Sequence, residues 1–81
     1  MKAGTRAVLD LLRLRGADGL TPAEARHAVG TDRLAARVWE LRRLHGYDIE
    51  QVRERTPMGA SVARYYLRQP TRGVQEALFG G

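Results

Sequence analysis

Apolar residues recur at helical spacing in the first half of the chain. Within residues 5–15, Val8, Leu11 and Leu12 share one face, and charged residues occupy the opposite one. This spacing predicts an amphipathic helix that packs on a core through its apolar face. Gly16 follows at once and suits the left-handed conformation that commonly ends a helix.

A second helix is predicted from the sequence TPAE at residues 21–24. Thr21 can cap the helix, Pro22 suits its first position, and the Glu24 side chain can reach back to close a capping box. Gly30 ends this helix after about two turns. Its buried side is expected to consist of Ala25, Ala28 and Val29.

A third helix is predicted over residues 32–45, with Thr31 as its cap and Gly46 at its end. A helical wheel places Leu34, Val38, Leu41 and His45 on its apolar stripe.

The opposite, outward side of this helix would then carry Asp32, Ala36, Glu40 and Arg43. Arg33 and Arg37 fall on one flank, and Trp39 and Arg42 on the other. We expect Trp39 to pack at the edge of the core; the alternative is a protein-contact hot spot.

Beyond Gly46 the pattern changes to β-prone residues. Two stretches rich in Ile, Val and Tyr flank the sequence RTPMGA, in which Pro57 and Gly59 favour a turn. An antiparallel hairpin follows, and its central part spans residues 53–64. The remaining residues, 70–81, form a tail whose apolar spacing would suit a short docking helix.

The order of these elements predicts a mainly α fold with a small β-hairpin. Three helices followed by a two-stranded antiparallel wing make a winged helix-turn-helix domain over residues 1–69. In such domains the helix after the turn enters the major groove of DNA. Helix 32–45 would take this position, with hairpin 53–64 as the wing.

Charge supports an anionic partner. The 81 residues include 14 basic and 9 acidic side chains, a net charge of +5, and Lys2 is the only lysine. Nucleic acid, an acidic protein or an acidic membrane surface would each suit this balance, although GC-rich codon usage also favours arginine.

The chain has no cysteine, which excludes disulfides and thiolate chemistry. No apolar run is long enough for a membrane span, so a cytoplasmic, nucleoid-associated protein is expected.

Candidate DNA contacts lie on the third helix and the hairpin. Arg33 and Arg37 are placed for base edges, and Ala36 leaves room for a thymine methyl group. Glu40 could accept a hydrogen bond from cytosine, or could simply pair with Arg37. The full candidate set is Thr31, Asp32, Arg33, Ala36, Arg37, Glu40, Arg43, Arg53, Arg55 and Arg64.

The stretches LTPAEA, GTDRLAARVWELRRLHGYDIE and VARYYL resemble the small winged helix-turn-helix domains common in bacteriophage genomes. The resemblance covers roughly residues 5–68. It implies a DNA-binding fold with a regulatory role in a phage or prophage, and it implies no substrate.

Two function classes stay open, and a third is not expected. The first is a double-stranded DNA-binding transcription regulator or recombination accessory factor. The second is a protein-interaction module that docks on host transcription or phage packaging machinery. Trp39, or Val74, Leu78 and Phe79 of the tail, could mediate that docking, or a homodimer or cooperative assembly. Enzymatic activity, a cofactor and a metal site are not expected, because His27 and His45 are isolated and no nucleophile–base pair is evident.

Overall fold

The computed structural model describes residues 1–68, and the predicted tail helix lies outside them. Three helices precede a two-stranded antiparallel sheet, so the predicted fold class is confirmed. The elements are α1 (Ala3–Arg15), a 3-10 turn (Gly16–Asp18), α2 (Pro22–Val29), α3 (Leu34–His45), β1 (Ile49–Arg55) and β2 (Ser61–Leu67).

The core gathers apolar side chains from the three α-helices and the two strands. Helices α1 and α3 supply most of it, and Leu20 and the base of the hairpin close it. Its buried members are Val8, Leu9, Leu12, Leu20, Ala25, Leu34, Val38, Leu41, Ile49 and Tyr65. In this part of the chain, none of the helices is long and apolar enough to cross a bilayer.

The start of α2 forms as predicted. The Thr21 hydroxyl accepts a hydrogen bond from the Glu24 N–H at 3.2 Å, and the Glu24 carboxylate accepts one from the Thr21 N–H at 3.0 Å. Only Ala25 of its expected buried side is buried. The prediction is wrong for Ala28 and Val29, because the last turn of this short helix projects beyond the core.

Helix α3 begins two residues later than predicted. Arg33 occupies the position before its first residue, and no side chain caps the helix. The Thr31 hydroxyl instead accepts a hydrogen bond from the Arg33 N–H at 3.2 Å, a local turn that competes with helical capping. Asp32 and Arg33 therefore lie in the turn between α2 and α3. His45, expected on the buried stripe, is exposed in the last turn.

The hairpin pairs Ile49 with Leu67 at its base and Arg55 with Ser61 near its tip. Leu20 adds a one-residue strand on the other side of β2: its N–H donates to the Tyr65 carbonyl at 2.8 Å, and its carbonyl accepts from the Tyr65 N–H at 2.9 Å. Strand β2 therefore lies in the middle of the sheet, and β1 forms its edge.

Gly19 lies at a position that strongly favours glycine. Its φ is 68° and its ψ is −173°, a combination that is almost confined to glycine. A Cβ atom there would lie 2.8 Å from both Arg64 Cγ and Tyr66 Cε1. We expect Gly19→Ala to lower the free energy of unfolding by about 1–3 kcal/mol through backbone strain, and further because both side chains must move.

Gly30→Ala is the matched control, measured alongside by urea unfolding followed by circular dichroism. Gly30 has a φ of 72°, but no atom lies within 4 Å of the added Cβ. Its cost is therefore that of the left-handed conformation alone, about 1–2 kcal/mol. Equal losses for the two variants would show that the contact of Gly19 with the sheet is unimportant.

Candidate nucleic-acid interface

One flank of α3 packs against the start of α1 through polar side chains. The Glu40 carboxylate lies 3.1 Å from Arg37 Nη1 and 3.6 Å from Lys2 Nζ. It also accepts a hydrogen bond at 3.1 Å from the hydroxyl of Thr5, a buried residue of α1. The side chains of Arg37 and Glu40 are only 20% and 13% exposed. Glu40 therefore joins α3 to α1, and Arg37 is held beside it by the ion pair.

The prediction that Glu40 lies on the outward side, with Arg37 beside it for groove contact, is wrong. A helical wheel built on polarity assigns every charged residue to solvent, whereas here α1 covers an ion pair. Burial raises the pKa of Glu40, but the Thr5 hydroxyl, Arg37 and Lys2 outweigh it and hold the pKa below its ordinary value. Glu40 is thus a carboxylate at neutral pH, engaged within the protein.

The other flank of α3 is tied to the hairpin. Nε and Nη2 of Arg42 both donate to the carbonyl oxygen of Ile49, at 2.9 and 2.5 Å. Because Ile49 is the first residue of β1, this contact fixes the end of α3 against the base of the wing. The Arg42 guanidinium therefore has a structural role.

Between these two flanks, α3 presents an outward face formed by Ala35, Trp39 and Arg43, which are spaced four residues apart. All three are exposed, and Ala36 lies half-buried at the edge of this face. Trp39 is 55% exposed. The expectation that it packs at the edge of the core is wrong, because α1 and the hairpin take the two flanks and leave Trp39 between them.

The turn before α3 contributes Thr31, Asp32 and Arg33. Thr31 is half-buried, and Asp32 and Arg33 are exposed. Asp32 Oδ1 lies 2.8 Å from Nε of Arg26 on α2, so an ion pair spans the turn. The Arg33 guanidinium has no hydrogen-bond acceptor among residues 1–68.

The outer half of β1 carries Arg53 and Arg55, which the pairing register places on the same face of the sheet as Ile49. The core ends before it reaches them, and both side chains are exposed. Neither forms an ion pair with any residue that the structure describes. They are the exposed cations of the wing.

Arg64 lies on the opposite face of the hairpin and is bound within the protein. Its guanidinium lies 2.9 Å from Glu54 Oε2, 3.4 Å from Glu24 Oε1 and 2.9 Å from the carbonyl oxygen of Asp18. The hydrogen bond to Glu54 is the main reason that the pKa of Arg64 is raised. Arg64 joins the wing to the start of α2, so the structure does not leave this candidate DNA contact of the hairpin free.

Within residues 1–68, four exposed arginines on or beside the outward face and the wing have no carboxylate partner. We call Arg33, Arg43, Arg53 and Arg55 the free arginine set. The acids of the same elements pair with arginines: Asp32 with Arg26, Glu40 with Arg37, Glu50 with Arg68 and Glu54 with Arg64. Asp48, between α3 and β1, is the exception. Positive charge therefore predominates around α3 and the wing.

Comparison with known families agrees with this geometry. A family model described as "Winged helix-turn-helix domain" matches residues 5–70. The chain belongs to this family. Helices α2 and α3 are its helix-turn-helix, α3 is the helix that such domains place in the major groove, and the hairpin is its wing. The resemblance to winged helix-turn-helix domains is confirmed, whereas the phage setting stays a prediction. No curated protein and no solved structure matches the chain.

Sequence reasoning missed Ala35 as a member of the outward face and placed Trp39 on its flank. The spacing of Ala35, Trp39 and Arg43 was visible, but the position of α1 decides which side of α3 faces out. As for metals, residues 1–68 contain no group of three His, Asp or Glu side chains placed to hold an ion.

We expect the domain to lose stability in acid. Partial burial raises the pKa of Glu24, but the Thr21 N–H, Arg15 and Arg64 outweigh it, so the pKa of Glu24, like that of Glu40, is lowered from 4.5. Each unfolded carboxyl then binds a proton more readily than the folded one. Their stabilisation is complete above pH 4.5 and is lost as the pH falls through the lower folded pKa values.

Urea unfolding measured between neutral pH and pH 3 checks this expectation. Glu24→Gln should flatten the acid limb of the profile, because it removes one of the two linked groups. An unchanged slope in this variant would show that Glu24 does not contribute to acid sensitivity.

Proposed function

We propose that the chain binds double-stranded DNA. The outward face of α3 would lie in the major groove, and the outer half of β1 would follow the phosphate backbone. The observation that carries this proposal is the free arginine set, which borders a face whose neighbouring acids are paired. The family supports it, because helix-turn-helix domains use the corresponding helix to read DNA.

Each part of this surface has a physical role in the proposal. Arg33, in the turn just before α3, is placed for a base edge or a nearby phosphate, because the N-terminal end of a recognition helix meets the bases. Arg43, Arg53 and Arg55 would contact phosphates and release the counterions condensed on the duplex. Ala35 and Ala36 allow the backbone of α3 to approach the groove closely. Thr31 and Asp32 would position the turn.

A regulatory role is the finer part of the proposal. We infer a small phage or prophage transcription regulator or recombination accessory factor, acting without a cofactor in the bacterial cytoplasm on nucleoid DNA. The motifs quoted above support this assignment. The family typically binds DNA without catalysis, which supports a non-enzymatic role.

Fluorescence anisotropy with labelled duplex DNA of random sequence tests the proposal. Binding should weaken linearly in log–log form as salt rises, with a slope of roughly −3 to −4 if four arginines each neutralise a phosphate. Light scattering on the same samples gives the number of protomers. A dimer would suit a palindromic site, which presents two half-sites. Absence of binding at low salt would contradict DNA binding, and an affinity that salt leaves unchanged would contradict the phosphate contacts of the four arginines.

The exposure of Trp39 favours a second candidate, a winged-helix module that docks on a host or phage protein. A large exposed aromatic residue is a frequent anchor of protein interfaces. Charge reversal separates the two functions, through the double variant Arg33→Glu and Arg43→Glu. Loss of DNA binding in this variant supports the first function. Retention of the wild-type DNA affinity contradicts the proposed groove surface and leaves the second function favoured.

A further inference from the structure

We propose that Trp39 recognises the C5-methyl groups of pyrimidines, those of thymine above all, in the major groove. The inference rests on the proposed function and adds a chemical class of DNA site to it. Duplexes rich in thymine methyl groups along the bound groove would be the preferred ligands.

The indole is the most prominent group on the outward face. Ala35, one turn before it, and Ala36 are too short to shield it. Arg42, on the following turn, is held back by its hydrogen bonds to the Ile49 carbonyl. Trp39 is the sixth residue of α3. A surface that approaches this side of the helix therefore contacts the indole before the neighbouring side chains.

The chemistry of the indole selects the methyl group. Among the base-pair edges in the major groove, the C5-methyl of thymine is the only apolar group; the others are hydrogen-bond donors and acceptors. An indole carries one N–H donor on an otherwise apolar surface. If the indole packed against these polar base edges, it would bury donors and acceptors without hydrogen-bond partners, which costs free energy. Against a methyl group it removes apolar surface from water on both sides.

The charges around Trp39 favour DNA over a protein as its partner. Arg43 lies one turn further along the same face, and Arg33 lies just before the helix. Neither guanidinium has a carboxylate partner within the described part of the chain. A partner that covers the indole must also satisfy these cations, and the duplex does so with its phosphates beside the groove.

The test uses two pools of random-sequence duplex, synthesised alike except that one contains deoxyuridine wherever the other has thymidine. Uracil pairs as thymine does but lacks the C5-methyl group. The wild type should bind the thymidine pool more tightly, by about fourfold for each methyl group contacted, equivalent to about 0.8 kcal/mol. Because Trp39 is the only tryptophan, its fluorescence should also change on binding.

Trp39→Ala should bind both pools equally, with an affinity near that of the wild type for the deoxyuridine pool. Leu44→Ala, at a 61% exposed position of the same helix, is the matched control and should retain the preference. Circular dichroism confirms that each variant is folded, and Trp39→Phe, which keeps an aromatic ring, should restore part of the preference.

Each other outcome overturns the inference. Equal wild-type affinity for the two pools, or a preference that persists in Trp39→Ala, overturns it while leaving DNA binding intact. Binding to DNA with unchanged tryptophan fluorescence places the indole outside the groove and favours a protein contact. Absence of binding to either pool overturns the proposed function itself.

Discussion

Replacing Arg43, Arg53 and Arg55 with alanine is expected to weaken duplex binding by more than a hundredfold at low salt. Each lost charge-assisted contact is worth roughly 1 kcal/mol or more, and three of them correspond to about two orders of magnitude. The slope of log affinity against log salt should become shallower by about 0.9 for each arginine removed. Fluorescence anisotropy over a series of salt concentrations measures both effects.

The matched control removes the same number of charges elsewhere: Arg6, Arg13 and Arg68 are replaced together. Arg6 and Arg13 lie on the exposed side of α1, and Arg13 and Arg68 already pair with Asp10 and Glu50. This variant should keep most of the affinity and nearly the whole salt slope. Similar losses in the two triple variants would mean that overall charge, and not the free arginine set, attracts the DNA.

Leu41→Ala is expected to remove a large part of the stability of the domain. Leu41 is fully buried at the centre of α3, and a buried leucine cut back to alanine costs about 2–5 kcal/mol. Small domains have only about 5–15 kcal/mol of unfolding free energy in total. Urea unfolding followed by circular dichroism at neutral pH gives the size of the loss.

Leu44→Ala provides the comparison within the same helix. Leu44 lies three residues further along and is largely exposed, so its truncation should change the free energy of unfolding by no more than about 0.5 kcal/mol. Comparable losses at the two positions would show that α3 is rotated about its axis, and the outward face would then be wrongly assigned.

The order of the elements could be predicted from the sequence because local signals determine it. The capping box of Thr21 and Glu24 forms as its residue types indicate, and Gly30 ends its helix at the expected position. The alternation of Ala63, Tyr65 and Leu67 places them on the side of the hairpin that meets the core. None of these features depends on knowing how the helices pack.

The composition of the candidate site could be predicted only in part, because it depends on tertiary packing. Arg33, Arg43, Arg53 and Arg55 are exposed as expected. Arg37 and Arg64 are not, because each finds carboxylates that are distant in the sequence or covered by another element. Residue type alone cannot distinguish an arginine that is free to bind a phosphate from one that binds carboxylates of its own protein.

The same limit applies to the direction in which α3 faces. Its buried stripe of Leu34, Val38 and Leu41 was identified correctly. The flank that α1 covers was not, because the contact involves Glu40, Arg37 and the hydroxyl of Thr5. A prediction based on polarity places these groups in solvent. Trp39, predicted at the edge of the core, lies at the centre of the outward face.

Nuclear magnetic resonance of the ¹⁵N-labelled protein, titrated with duplex DNA, tests the central claim most directly. We expect the largest shifts at the Trp39 indole N–H, at the backbone amides of Arg33, Ala35 and Arg43, and at those of Arg53 and Arg55. Shifts confined to the exposed side of α1, with the outward face of α3 unaffected, would contradict the claim.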